Sequence, residues 1–211
     1  MSLTYLAFVP ESILSVLVQV NVPGLPALLQ RPFEVSWLDM DSSDRLFLEY
    51  SARKLRQATG RIEDCLGRLS EVDIWSRATD NENAVGNLVL HLSGNVRQWI
   101  VAGVGGRPDI RQRDSEFAAR GGLEASGLAA LLRGIVEEAA AIIEALAPER
   151  LCEPLMVQSY NVTVLEAIYH VVEHFSGHTG QIIYATKLLT GGDLGYHHHL
   201  RTAAAHAEPT P

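Results

Sequence analysis

The sequence predicts an all-α protein, a four-helix bundle, on three observations. Apolar residues recur at spacings of three, four and seven in four long stretches, with charged residues on the other faces. Most of these stretches stop at glycine or proline, as helices do. No β-branched alternation with strand-like flanks stands out, and no internal repeat of 20 to 50 residues. Long amphipathic helices of this kind bury their stripes against one another as a bundle.

The elements follow in order. Residues 1–39 differ from the rest, with Pro10, Pro23, Pro26 and Pro32, a short apolar run from Ile13 to Val20, and Arg31 as the one basic residue. Glu11 stands where a signal peptide needs basic charge, and the run is too short to span a bilayer. A loosely ordered extension is expected, upstream of a natural start at Met40, with Ser42 or Ser43 as a helix cap. The first helix carries Leu48, Leu55, Ile62, Leu66 and Leu69. A second starts near Asn83, its expected N-cap, runs through Leu88, Leu92, Val96, Trp99 and Ile100, and ends at Gly103, Gly105, Gly106 and Pro108.

Residues 107–117 mix both charge signs around Ile110 and Phe117. They read as a surface crossover knitted by ion pairs, or alternatively as an active-site lid. The third helix keeps one stripe of Leu128, Leu131, Leu132, Ile135, Val136, Ala139, Ile142, Ile143 and Leu146, and Pro148 ends it. Thr163 and Glu166 are placed for a capping box that opens the fourth helix, which Gly191-Gly192 stops after Thr190. The bundle is therefore expected over residues 40–196, with a flexible His- and Ala-rich tail over 197–211.

Composition excludes several classes. With 47% hydrophobic and 20% charged residues in 211, the chain can bury a core. A net charge of −8, from 17 basic and 25 acidic residues, argues against nucleic acid as a partner. The 2 cysteines, Cys65 and Cys152, lie far apart, which fits a reducing, cytoplasmic compartment and neither a redox pair nor a Cys-rich zinc site.

The 8 histidines are the anomaly, because imidazole is the commonest metal ligand. His170, His174 and His178 stand four residues apart on the fourth helix. Each step of four drifts about 40°, so neighbouring pairs can share one ion while the outer pair diverges. His174 and His178 border the apolar arc of Val164, Ala167, Val171, Phe175, Ile182 and Leu189, whereas His170 leans toward Glu166 and Glu173. His91, in the middle of the second helix, is the third donor that a bundle site requires from a facing helix. Asn95, Gln98 and Gln181 fall on the same stripes and ring the centre with amides that can orient an imidazole or a substrate. Glu173, the one carboxylate near these positions, points about 100° away from His174. A histidine on an apolar face is also an ordinary core residue, and the residues alone leave that reading open. The spacing is not H-E-x-x-H, and Glu-x-x-His pairs are absent from two helices, so a zincin protease and a di-iron centre are disfavoured. His197, His198, His199 and His206 belong to the tail.

Three stretches carry a resemblance. Ile74-Trp75 precedes Asn83-Ala-Val-Gly-Asn-Leu-Val-Leu-His91-Leu-Ser-Gly-Asn-Val-Arg-Gln-Trp99; Gly105-Gly-Arg-Pro-Asp109 follows, and then Glu173-His-Phe-Ser-Gly-His178-Thr-Gly-Gln181. From Met40 to Tyr196 the chain resembles the DinB/YfiT-like superfamily of inferred metalloenzymes, and more narrowly a DinB-like branch without a settled activity. The resemblance implies a four-helix bundle of unusual connectivity, a homodimer, and a divalent metal, zinc or nickel first, held by His91, His174 and His178. Characterised members include thiol S-transferases and a thiol-dependent isomerase. The expectation is therefore a metal-dependent enzyme, S-transferase-like or hydrolase-like, that adds a low-molecular-weight thiol to an electrophilic small molecule, with Asn95, Gln98 or Gln181 positioning the substrate. The alternative is a non-catalytic metal-binding or dimeric interaction protein of a stress response. Gly177 and Gly180 leave the fourth helix a smooth strip for such packing.

Overall fold

The structure, a computed structural model, describes residues 2–3, 15–18, 20–21, 33–36, 38–196 and 198, with side-chain surroundings from residue 43 onward. Four long helical stretches pack around one apolar core. They are α1 (Leu38–Leu66), α3 (Val85–Val96) continued by a π-helix over Arg97–Val104, α5 (Ala125–Glu144) and α6 (Val164–Thr190). Helix α1 lies against α5 and α6, and α3 packs on α5 and α6. Short helices α2 (Glu71–Trp75) and α4 (Arg113–Ala118) sit in the connections, and a 3₁₀ turn covers Pro148–Cys152.

The heptad-like stripes become the core. Leu48, Leu55 and Ile62 from α1 meet Leu92 and Val96 of α3, Leu128, Leu132 and Ile143 of α5, and Val171, Phe175 and Ile182 of α6, all buried. Two positions placed on stripes lie outward instead: Leu131 is 37% and Leu189 43% exposed, because each sits at the edge of its apolar arc. Among the described residues no helix is long and apolar enough to cross a membrane.

Helix ends show where sequence signals hold and where they slip. Thr163 Oγ1 accepts from the Glu166 backbone N–H, and Glu166 Oε2 accepts from the Thr163 N–H at 2.7 Å, so the expected capping box opens α6. Gly191 closes the helix with φ 65°, a left-handed value that suits glycine. Ser42 and Ser43 do not cap α1, which already begins at Leu38, two residues before Met40. Ala84 rather than Asn83 is the N-cap of α3, because Asn87 reaches back to accept from the Ala84 N–H.

The absence of strands is corrected. Within the N-terminal segment β1 (Ser2–Leu3) pairs with β3 (Val20–Asn21), and β2 (Ser15–Val18) with β4 (Phe33–Ser36), both antiparallel. Ahead of α6, β5 (Pro154–Val157) and β6 (Tyr160–Thr163) form a hairpin. Its two-residue turn has Gln158 at φ 50° and Ser159 at φ 68°, the signature of a type I′ turn, which usually advertises itself by Asn-Gly or Asp-Gly. Leu155 and Val157 face inward while Met156 is exposed. The hairpin lies on the π-helix at Gly103, where a Cβ would stand 2.9 Å from Val157 Cγ2. The expected flexible tail lies outside the described residues apart from His198, whose Nε2 is 3.1 Å from Asp193 Oδ2.

Candidate metal centre

Helix α3 with its π-helical continuation runs antiparallel to α6: His91 meets His174 and His178, while Trp99, eight residues further along in the π-helix, meets His170, one turn earlier on α6. This brings the three expected imidazoles together. His91 Nε2 lies 3.1 Å from His174 Nε2, and His178 Nε2 lies 3.1 Å from the same atom. One nitrogen from each of the three falls within 4.8 Å of the others, so the cluster can hold a metal ion. Tetrahedral bonds of about 2.0–2.1 Å put neighbouring nitrogens about 3.3 Å apart, so the donor set fits a small divalent cation.

His170 stays outside the cluster. Its ring is wedged between Trp99, 4.2 Å away, and His174, 5.6 Å away, so it walls the centre.

Electrostatics favour neutral ligands. Burial pushes His174 down to about 3, and the neighbouring His178, His91, His170 and Arg111 add to the effect. Burial also lowers His178, against the bond from Gln181, and His91 lowers it further. Burial lowers His170 as well, partly offset by Glu173. Neutral imidazoles keep the lone pairs that a cation needs.

The outer nitrogens have partners. His178 Nδ1 is 2.7 Å from Gln181 Oε1. His91 Nδ1 is 3.1 Å from Glu116 Oε2. Arg111 grips both oxygens of that carboxylate at 2.8 Å and donates to Gln98 Oε1 at 2.9 Å. Gln98 in turn donates to Asp109 and accepts from Gln158 in the hairpin turn. Gln98 is thereby tied to Arg111, Asp109 and Gln158, and Gln181 to His178, while Asn95 is buried with its Oδ1 unpartnered by protein. His174 Nδ1 and Trp99 Nε1 are buried without protein partners as well.

Two residues were missed in the sequence. Glu173 is not the nearby carboxylate; Glu116 is, with Arg111 beside it. Burial would raise the Glu116 pKa, but bonds from Arg111 and His91 outweigh it and hold the carboxyl below its ordinary value. The charged stretch around them runs mostly over the surface and is knitted by this ion pair, but it turns Arg111, whose side chain is 2% exposed, and Glu116 inward. A charge-rich loop with an embedded Phe117, whose ring lies 4.7 Å from His91, was the available signal.

Residues 42–197 match the family described as "Protein of unknown function (DUF1572)". The chain belongs to the DUF1572 family. A conserved protein from Enterococcus faecalis, of known structure, is similar with a TM-score of 0.59 at 17% identity, over 68% of this chain and 97% of that one. A DinB-like protein of Bacillus subtilis, YjoA, is similar with a TM-score of 0.54 at 15% identity, over 69% and 95%. The fold is thus all-α and DinB-like. No curated protein matches the sequence. The DUF1572 span contains His91, Arg111, Glu116, His174, His178 and Gln181, so the centre and its outer partners lie wholly within the matched region.

Proposed function

We propose that this DUF1572 protein binds one divalent ion, zinc or nickel, through Nε2 of His91, His174 and His178, and that it is a cytoplasmic, homodimeric enzyme adding or transferring a low-molecular-weight thiol to an electrophilic small molecule. The observation that carries the reading is the convergence of three imidazole nitrogens from two helices with no carboxylate or thiolate among them. Three protein ligands leave a position open, the pattern of catalytic rather than structural zinc.

When bound, such an ion lowers the pKa of a thiol or water at the open position and supplies a nucleophile near neutral pH. The chain's own residues do the rest. Gln181 and Glu116 orient His178 and His91. Trp99 and His170 exclude water from one flank. Asn95 Oδ1 and the Nδ1 of His174 remain as buried polar groups able to meet substrate or water. Cys65 is buried beside Tyr196 and Cys152 is exposed, and neither belongs to the cluster, so the thiol comes from outside the protein.

Elemental analysis of untagged protein cut before His197, purified without chelator, is the first test. One equivalent of metal is expected, and a content near zero sinks the reading. Turnover of an electrophile with a small thiol should then vanish in His174→Ala while the circular dichroism of the bundle persists. A non-catalytic, metal-stabilised interaction protein is the second reading, favoured by the commitment of Gln98 and Gln181 to protein partners. Metal removal that melts the bundle, with no turnover, selects it.

A further inference from the structure

Of the three clustered imidazoles, His91 is the one whose outer nitrogen meets a carboxylate. We propose that Glu116 is a positioning residue for the centre: it holds the proton on His91 Nδ1, so that the Nε2 lone pair faces the point shared with His174 and His178, with Arg111 and Gly94 delivering the carboxylate to that nitrogen. The proposal rests on the metal-binding reading above and concerns how that site is built.

The tautomer follows from the donors present. His91 Nδ1 is 3.1 Å from Glu116 Oε2 and also 3.1 Å from Arg111 Nη2. A guanidinium only donates and a carboxylate only accepts. A bare Nδ1 would take the arginine and leave its lone pair against Oε2. A protonated Nδ1 donates to Oε2, and Arg111 Nη2 already donates to the same oxygen at 2.8 Å. Of the two tautomers, the second satisfies each group. It leaves Nε2 bare and directed at His174 Nε2.

The pair is placed at a cost that stability does not explain. The side chains of Arg111 and Glu116 are 2% and 10% exposed, and burying such a pair often stabilises no better than apolar residues of the same volume. What the pair adds is direction, because the two-pronged contact fixes the plane of the carboxylate. It also adds no net charge beside the imidazoles, because the guanidinium offsets the carboxylate, while the bond to Glu116 makes His91 a stronger donor.

The scaffold supports the same reading. Gly94 lies three residues after His91, and a Cβ there would overlap Glu116 Oε1 and stand 2.7 Å from its Cδ and 3.0 Å from Arg111 Nε. A glycine inside a helix is ordinarily unfavourable, and here it opens the slot into which the carboxylate fits. Asn87, one turn before His91, donates to the backbone carbonyls of Glu116 at 2.8 Å and Ala119 at 2.9 Å, and so pins α4. Gln98 holds Arg111 from the other side. Helix α3 therefore presents both the ligand and the seat for its orienting acid.

The test uses the full chain and Co(II), whose intense visible bands in tetrahedral surroundings separate the centre from weakly binding tail histidines. Wild type is expected to give these bands, and imidazole ¹⁵N shifts of the metal-free protein to place the His91 proton on Nδ1. Glu116→Gln should weaken Co(II) by about 10- to 100-fold, shift the bands and move His91 toward the other tautomer. Gly94→Ala should do the same with Glu116 intact, and it decides the matter if Glu116→Gln fails to fold. Unchanged affinity and bands in a folded variant overturn the proposal while leaving the metal reading standing. A wild type without tetrahedral bands overturns the metal reading, and the positioning role with it.

Discussion

Gln181 Oε1 lies 2.7 Å from His178 Nδ1, one helical turn away on α6, and so fixes that ring by an uncharged bond. Because Gln181 is itself exposed, its removal touches orientation more than packing. Gln181→Leu is expected to lower metal affinity by about tenfold, read by competition with a chromophoric chelator, while the urea midpoint of the metal-free protein stays put.

The buried imidazoles make the metal-free bundle acid-sensitive. The folded pKa values of His170, His174 and His178 lie below their ordinary value. As pH falls below about 6.5 the unfolded chain takes up protons that the folded chain does not, and stability is lost toward the folded value of about 3 at His174. Glu116, also lowered, loses its contribution in the same direction at lower pH. Urea midpoints measured from pH 7 to pH 4 should therefore fall, and His174→Gln should flatten the slope. A midpoint independent of pH in the wild type would contradict this account.

The hairpin turn carries two non-glycine residues at positive φ. Ser159→Gly relieves one of them, a left-handed residue costing about 1–2 kcal/mol, and even after the extra entropy that glycine loses on folding it should raise stability, seen as a higher thermal midpoint. Gln158 is better left alone, since it holds Gln98.

Phe175 follows His174 directly and is 1% exposed in the core. Phe175→Ala should cost about 3–5 kcal/mol in chemical unfolding. Because Phe175 is next to His174 on α6, metal affinity should fall together with stability.

The bundle was legible because its stripes are long: the helices around Leu55, Leu132 and Val171 each repeat over several turns. The Thr163–Glu166 box and the paired His174 and His178 were legible for a related reason, since these contacts span three or four residues. The hairpin was not, because Gln158-Ser159 lacks the residues that normally announce its turn. Glu116 was not, because it reaches His91 across 25 residues, through a slot that one glycine leaves open. The π-helical stretch after Val96 also has no composition of its own in the sequence.

The contact between His91 and His174 joins residues 83 apart in the chain, and the segment between them contains α4, α5 and the β5–β6 hairpin. In an unfolded chain His174 and His178 are near each other in sequence while His91 is far from both, and two nitrogens grip weakly. The third arrives when the intervening helix and hairpin have taken their places. Occupancy of the centre would therefore act as a certificate of completed assembly, issued only to chains that have finished folding.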